Sequence, residues 1–455
     1  MVFSSLAFIF SFLPIVLALY FATHAIFKNK RSVFNALNFV LFAASVYFYI
    51  TGEKKFFWVM LAVGLTDYCI ALLMDAEQKK PTPNAKFLFY LLLISIVSNM
   101  GLLFFFKYTP YINVALPIGI SFYTFESMSY IIDVYRGHIK ATRRFIDYWA
   151  FITFFPHLVA GPIIRYVDLK TQLENRTHSW EQVAEGFRRF SLGLGKKVII
   201  ANPLGYYADM LFTLDSSRLD TTLAWVAACT YTLQIYFDFS GYSDMAVGLA
   251  KMFGIVLPEN FNAPYLARSI KEFWRRWHIT LSLWFRDYLY IPLGGNKQGV
   301  FKEYRNLLLV FVLCGLWHGA NVTFLLWGCY HGFFLISERI MGKKLTFHFP
   351  HWLQHTYALL VIILSWVIFR AESFEQICAM YSSMAGLHGH WVSNDTLQLI
   401  STPHFYVYFL LAVLFCTPVV YKLDRQSHLW SVGVFLISCI FLCGQEYNPF
   451  IYFRF

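Results

Sequence analysis

The sequence predicts an all-α polytopic membrane protein, and three observations carry that reading. Its 455 residues are 58% apolar and only 14% charged, against about 45–50% and about 25% in an ordinary soluble domain. Apolar runs of helical length recur from one end of the chain to the other, separated by short polar gaps. Aromatic residues make up 20% of the chain, far more than disordered or low-complexity segments carry. A helix needs about 20 mostly apolar residues to cross a hydrocarbon core roughly 30 Å thick. The chain therefore has room for about ten to twelve crossings in one membrane domain, 1–455.

The runs fall at 4–22, 33–51, 56–74, 87–106, 111–132, 147–163, 191–213, 221–250, 306–326, 327–341, 354–369, 405–421 and 429–446. The first, from Ser4 to Tyr20, has no basic flank before it and further spans behind it, so it reads as a retained anchor rather than a cleaved signal. The gaps after runs one and three carry Lys28, Lys30, Arg31, Lys79, Lys80 and Lys86, while the gap after run two holds only Lys54 and Lys55. The positive-inside rule then sets the amino terminus outside, in the periplasm if the membrane is a bacterial inner membrane. The loop with Arg136, Lys140, Arg143 and Arg144 continues the alternation. The stretches 164–190 and 251–305 are mixed in charge and too polar to cross unshielded, which makes them re-entrant, interfacial or cavity-lining. No internal repeat is visible, which weighs against an inverted-repeat transporter.

The net charge of +11 lies in loops rather than on one soluble face, so topogenic signals and an anionic ligand explain it better than nucleic acid. The eight cysteines show no CxxC or Cys/His spacing and mostly sit in apolar runs. Neither a metal site nor a disulfide framework is indicated.

Ionisable residues at membrane depth cost roughly 2.5–3.5 kcal/mol each on insertion scales, so they mark candidate functional sites. Three regions qualify. In Lys271–Asn296, Trp274, Trp277, Leu281, Trp284, Phe285 and Tyr288 recur at helical spacing, with Arg275, Arg276, His278 and Arg286 on the remaining faces. An interfacial amphipathic helix explains that pattern as well as a site does. In Cys314–Asn321, His318 stands between Gly315 and Gly319, which admits close approach of a helix or a ligand; a packing histidine is the plainer alternative. In Tyr231–Gly248, Gln234, Asp238, Ser240, Ser243 and Asp244 lie in an apolar stretch. They fit polar contacts between helices, or an ion path through Asp238 and Asp244 that would make the protein a transporter.

These residues bring out a resemblance to the bacterial membrane-bound O-acyltransferases, in the branch of alginate O-acetyltransferase, peptidoglycan O-acetyltransferase and D-alanyl-teichoic acid transferase. It runs nearly end to end, through MVFSSLAFIFSFLP at 1–14, LPIGISFYTFESMSYIIDVYRG at 116–137, FFPHLVAGPIIR at 154–165 and YFDFSGYSDMAVGLAKMFGI at 236–255. It continues through ENFNAPY at 259–265, FWRRWHITLSLWFRDYLYIPLGG at 273–295 and GLWHGA at 315–320. The resemblance implies a ring of tilted helices around a central tunnel, with His318 catalytic and His278 as the second characteristic histidine.

That chemistry suits the residues. A hydroxyl attacking a thioester must lose its proton, and an imidazole with an unperturbed pKa of about 6.5 takes it near neutrality. His318 is the expected base, and His278, Trp317 or Asn321 the expected donor to the developing oxyanion. Asp238, Ser240 and Asp244 are further tunnel candidates. Arg275, Arg276 and Arg286 are the expected contacts for the phosphates of acetyl-coenzyme A, although lipid headgroups would use the same guanidiniums. Asn448 and Pro449 end the last helix ahead of the aromatic tail 448–455. Because members of this branch share such endings, the resemblance implies Tyr452 as a carrier of the acyl group.

The function expected is transfer of acetyl from cytoplasmic acetyl-coenzyme A, with no metal, across the bacterial inner membrane. It ends in O-acetylation of an exported polysaccharide: peptidoglycan first, alginate second, with D-alanylation of teichoic acid a third possibility. The chain has no serine hydrolase motif, so a separate periplasmic O-acetyltransferase partner is expected to acylate the sugar, and nucleic acid is not a partner.

Overall fold

The computed structural model describes residues 2–27, 29–109, 116–215, 218–346, 349–387, 391–392, 398–418, 428–444 and 447–449. Among these residues all regular structure is helical. The chain forms two compact units, one made of 1–190 with 243–258, the other of 191–242 with 259–455.

The first unit opens on a π-helical turn, Phe8–Phe12, that runs into α1 (Leu13–Ile26), followed by α2 (Lys30–Gly52), α3 (Phe57–Gln78) and α4 (Ala85–Tyr108). The π-turn with α1 taken together, and α2, α3 and α4 each, are apolar and long enough to span a membrane. Pro14 follows directly on the π-turn inside a helix that is continuous from residue 6, where it has no N–H to return to the preceding turn, and Asn84 caps α4 by accepting from the Phe87 N–H. α3, α4 and α5 (Ile120–Tyr135) meet around one buried carboxylate. Asp67 accepts from Ser95 at 2.6 Å, Asn99 at 2.8 Å and Ser127 at 2.5 Å, the satisfaction a buried polar group requires.

The run at 147–163 is not a single span. Phe154 leaves helical geometry (φ −50°, ψ 104°), so the chain breaks into α6 (Phe145–Thr153) and α7 (Phe155–Leu158), with Pro156 opening the second. Gly161 then turns so tightly that a Cβ would stand 2.4 Å from the His157 Cα. α8 (Tyr166–Glu174) follows, and Arg176 beyond it ties the unit together, donating to Tyr20 and to Asn38 at 2.8 Å each. The first part of α9 (Trp180–Gly195) and the end of α11 (Thr221–Met252) pack backbone to backbone here. A Cβ on Gly186 would stand 2.6 Å from the Gly248 carbonyl oxygen.

In the second unit the run at 191–213 is also interrupted, by a π-helical turn at Lys196–Ala201 and by Pro203 at the start of α10 (Asn202–Phe212). After α11 come α12 (Ile270–Trp274), α13 (Ile279–Phe285), α14 (Val300–His318), α15 (Val322–Thr346) and α16 (His351–Arg370). α17 (Phe374–Met384), α18 (Pro403–Phe415) and α19 (His428–Gly444) complete it. The expected boundary at 326/327 moves: the chain reverses at Gly319–Asn321. It does so because α14 and α15 touch through glycines, a Cβ on Gly315 standing 2.2 Å from the Phe324 oxygen and one on Gly328 2.3 Å from the Phe311 oxygen. α16 is long and apolar enough to cross a membrane, whereas α18 and 429–444 are apolar but shorter. Five helices meet that standard among the described residues, while α11, α14 and α15 are long enough but less apolar; the ten to twelve crossings remain an expectation from run counting.

Candidate active site

The site builds up in the second unit, from the α14–α15 reversal and the turn between α12 and α13. His318 is the last residue of α14 and is buried. Its ring stands edge-on to Trp327 of α15 (centroids 5.2 Å, 88°) and to Phe369 of α16 (5.1 Å, 83°), with Trp317 at 4.8 Å. Three helices thus fix the imidazole in perpendicular ring contacts, the geometry the aromatic quadrupole favours. The glycine contacts of α14 with α15 bring Trp327 close enough to make this wall.

The expected long amphipathic helix over Lys271–Asn296 does not form. α12 ends at Trp274, the chain turns through Arg275–His278, and α13 begins at Ile279, giving way to a second π-turn at Arg286–Tyr290. The aromatic positions are still buried, but two short helices bury them, and the break between them presents His278. His278 adopts φ 43° and Ala263 φ 42°, the two positive values outside glycine among the described residues.

The reason lies in the irregular segment 259–263, which runs into a 3-10 turn at Pro264–Leu266 and straps the turn. The Ile279 N–H donates to the Asn260 carbonyl at 3.0 Å and the Asn262 N–H to the Arg276 carbonyl at 2.9 Å. The Arg276 guanidinium returns to the Asn262 carbonyl at 3.0 Å. Inside the strap the buried Asn260 Oδ1 accepts from the Thr280 N–H at 3.2 Å and the Thr280 hydroxyl at 2.9 Å, and lies 3.1 Å from His278 Nδ1. His278 Nε2 is buried without a hydrogen-bond partner among the described residues. Burial alone pushes this imidazole down, to about 3. The His278 ring faces Trp317 at 6.3 Å, so one indole touches both histidines.

A third histidine belongs to the same wall and was not read from the sequence. His331 of α15 is fully buried, accepts from Trp274 Nε1–H at 3.2 Å and lies 4.9 Å from Trp327. The signal was available: His331 stands between an aromatic residue and a glycine, as His318 does. Asn260, within ENFNAPY at 259–265, carries no such signal in its spacing.

The other expected residues separate by what they touch. Trp317 is buried in the wall. Asn321 is committed as a cap, its Oδ1 accepting from the Thr323 N–H at 3.1 Å and its Nδ2 donating to the Glu372 carbonyl at 2.7 Å. Asp238 is paired with Lys197 at 2.5 Å, and the Ser240 hydroxyl is buried without a hydrogen-bond partner among the described residues. Asp244 lies in the first unit, paired with Arg189 at 2.7 Å. Each carboxylate of the supposed ion path is therefore matched by its own cation. Arg276 pairs with Glu272 and Arg286 with Asp287. Arg275 is exposed and makes no side-chain hydrogen bond or ion pair among the described residues.

Tyr452 lies outside the described residues, but the segment just before it is held. Tyr447 donates to Asp209 at 2.6 Å, Asn202 donates to the Asn448 side chain at 3.2 Å, and Lys197 donates to the Pro449 carbonyl. In the first unit, His157 Nδ1 lies 2.9 Å from Glu126 Oε1 with both side chains fully buried. All eight cysteines are free thiols, and no metal-binding group of His, Cys, Asp and Glu occurs among the described residues. The site thus offers buried imidazoles, an indole N–H and dry aromatic walls, which suits proton transfer sheltered from water.

Residues 41–381 match the MBOAT, membrane-bound O-acyltransferase, family. The chain is 40% identical to the probable alginate O-acetylase AlgI of Pseudomonas putida, over the whole of both proteins. It is 44% identical to the same-named protein of Azotobacter vinelandii, over 87% of this chain and 80% of that one. Identity to the peptidoglycan O-acetyltransferase of Helicobacter pylori is 33%, over 100% and 98%.

Proposed function

From a chain that belongs to the membrane-bound O-acyltransferase family, and is thus a multi-pass bacterial membrane acyltransferase, we propose a membrane O-acetyltransferase that serves an exported polysaccharide. Acetyl-coenzyme A is the donor, reached from the cytoplasm, and the acetyl group leaves on the periplasmic side of the inner membrane, where the amino terminus also lies. A separate periplasmic O-acetyltransferase places it on the sugar. The whole of 1–455 acts as one catalytic domain. An alginate-like acceptor stands ahead of peptidoglycan, the reverse of the order expected from the sequence alone, because identity is higher to the alginate O-acetylases than to the peptidoglycan enzyme.

The observation that carries the reading is the placing of two buried imidazoles against one indole, His318 at 4.8 Å and His278 at 6.3 Å from Trp317. In the transfer a hydroxyl gives its proton to imidazole, its oxygen bonds to the thioester carbon and the C–S bond breaks. The thiolate takes the proton and leaves as free coenzyme A. His318 is the base, Trp317 or His278 donates to the oxyanion, and Arg275, exposed, meets coenzyme A phosphate. Tyr452 is the first hydroxyl acylated, and the anchoring of Tyr447–Pro449 supports a fixed start for the segment that carries it. The transporter alternative is not kept.

The test is release of free coenzyme A and acetyl transfer by the protein in lipid vesicles, given radiolabelled acetyl-coenzyme A and a periplasmic extract. His318→Ala should abolish both. Tyr452→Phe should abolish transfer to the acceptor, and wild-type transfer by that variant removes the relay. No turnover by the folded wild-type protein overturns the choice of donor.

A further inference from the structure

We infer that Asn260 is a positioning residue that holds His278 with its proton on Nδ1, so that Nε2 faces the reacting groups as a proton acceptor. The inference rests on the acyl-transfer reading for what the nitrogen acts upon, but not for the tautomer itself.

The orientation of the Asn260 side chain is fixed independently of the histidine. Two donors of Thr280, its N–H at 3.2 Å and its hydroxyl at 2.9 Å, converge on one Asn260 atom. A backbone N–H can only donate, so that atom is the amide oxygen and not the nitrogen. An amide oxygen 3.1 Å from His278 Nδ1 can only accept, so Nδ1 carries the hydrogen. A neutral imidazole has one N–H; its Nε2 is left with a lone pair. That nitrogen is buried and has no hydrogen-bond partner among the described residues, which leaves it open to accept from a substrate hydroxyl or a water.

The backbone points the same way. An αL conformation at a residue with a Cβ costs roughly 1–2 kcal/mol and persists where surrounding structure imposes it. At His278 the strap supplies that constraint through the Asn260 carbonyl and the Asn262 N–H. Asn260 therefore fixes the place of the ring with its backbone and the polarity of the ring with its side chain. A base oriented by a third group in this way is a recurrent catalytic arrangement.

The consequence separates the roles of the site. As the Nδ1–H tautomer, neutral His278 cannot donate to an oxyanion through Nε2. It is a second base beside His318, accepting from a hydroxyl nucleophile, and the oxyanion donor is the Trp317 indole.

The experiment uses the full chain in lipid. Nitrogen NMR of 15N-histidine-labelled protein, with the His278 signals assigned by their loss in His278→Gln, is expected to show a protonated Nδ1 and a bare Nε2. A protonated Nε2 overturns the proposal whatever the donor turns out to be. In kinetics, Asn260→Leu should lower kcat by about 10²-fold with KM for acetyl-coenzyme A little changed. Thr280→Val, which removes one strap bond but spares the histidine contact, should stay within a few fold of wild type. Asn260→Asp keeps the acceptor and adds a charge that favours imidazolium, so it should keep activity at high pH and move the acid limb of the profile upward. An acid limb that stays in place in Asn260→Asp, or full kcat in Asn260→Leu, reduces Asn260 to a structural strap and overturns the assignment. Absence of turnover in the wild type counts against acetyl-coenzyme A as donor and leaves the NMR result decisive for the tautomer.

Discussion

Replacing Lys197 by Met tests whether Asp238 serves structure or chemistry. The two side chains are each 2% exposed and lie 2.5 Å apart, and the same ammonium holds the Pro449 carbonyl. Removing one member of a buried pair leaves an uncompensated charge, which costs about 3–5 kcal/mol, whereas replacing both by apolar residues of similar volume is often neutral. Lys197→Met should therefore unfold far more readily than wild type, while Lys197→Met/Asp238→Leu should recover most of the loss. Unfolding is followed by denaturant titration in mixed micelles, and coenzyme A release is measured on the same preparations. If Asp238 only neutralises Lys197, the double variant also regains turnover, apart from what the freed Pro449 carbonyl takes away. A single variant as stable as wild type, or a double variant no better than the single one, refutes the argument. A stable double variant that is inactive, while a variant weakening only the 447–449 anchor such as Asn202→Ala stays active, returns Asp238 to the chemistry.

Three further expectations follow from particular contacts. Asn321→Ala removes the cap of α15 and should cost about 1 kcal/mol of stability, read as a lower unfolding midpoint, with turnover close to wild type because its amide is already committed. Arg275→Gln should raise KM for acetyl-coenzyme A several fold at low salt, more than Arg286→Gln, whose arginine is occupied by Asp287; equal effects would remove the distinction. His178 is held down to about 4 by burial, helped by Arg176 and His24, and in the unfolded chain it titrates near about 6.5. The unfolded state then binds more protons between those values, so the His178 contribution is complete above about pH 6.5 and is lost as pH falls toward 4. The unfolding midpoint should fall with pH in that window, and His178→Gln should flatten the decline.

Much of the fold was legible because hydropathy reports on lipid exposure. α2, α3 and α4 coincide with apolar runs to within a few residues, since nothing interrupts them, and the first run matches once its π-turn at Phe8–Phe12 is joined to α1. Legibility failed where a run is apolar for another reason. At 147–163 and 191–213 the side chains are buried in protein, so the chain breaks at Phe154 and winds as a π-turn at Lys196–Ala201 without losing its apolar character. The aromatic stripe of 271–296 misled in the same way: a period of helical length survives across a turn when both flanking helices bury the same side. His318 and His278 were legible from motifs, and their shared contact with Trp317 is geometry that no spacing encodes. The role proposed for Asn260 is not legible in the sequence because it depends on hydrogen bonds to residues 18 and 20 positions away.

The strained pair at the strap gives the strongest physical reason to place chemistry there. Where φ is positive, glycine is the residue that adopts the geometry without a steric penalty, and the chain uses it so at Gly119 and Gly254. At position 278 it does not, although a glycine would serve the turn as well. The imidazole stays at a cost of roughly 1–2 kcal/mol, met by backbone bonds from Asn260 and Asn262 and by the edge-on packing of Phe239 against the ring at 4.7 Å. A side chain kept against its own backbone preference, buried and with a ring nitrogen that has no hydrogen-bond partner among the described residues, fits the role in proton transfer proposed above for His278.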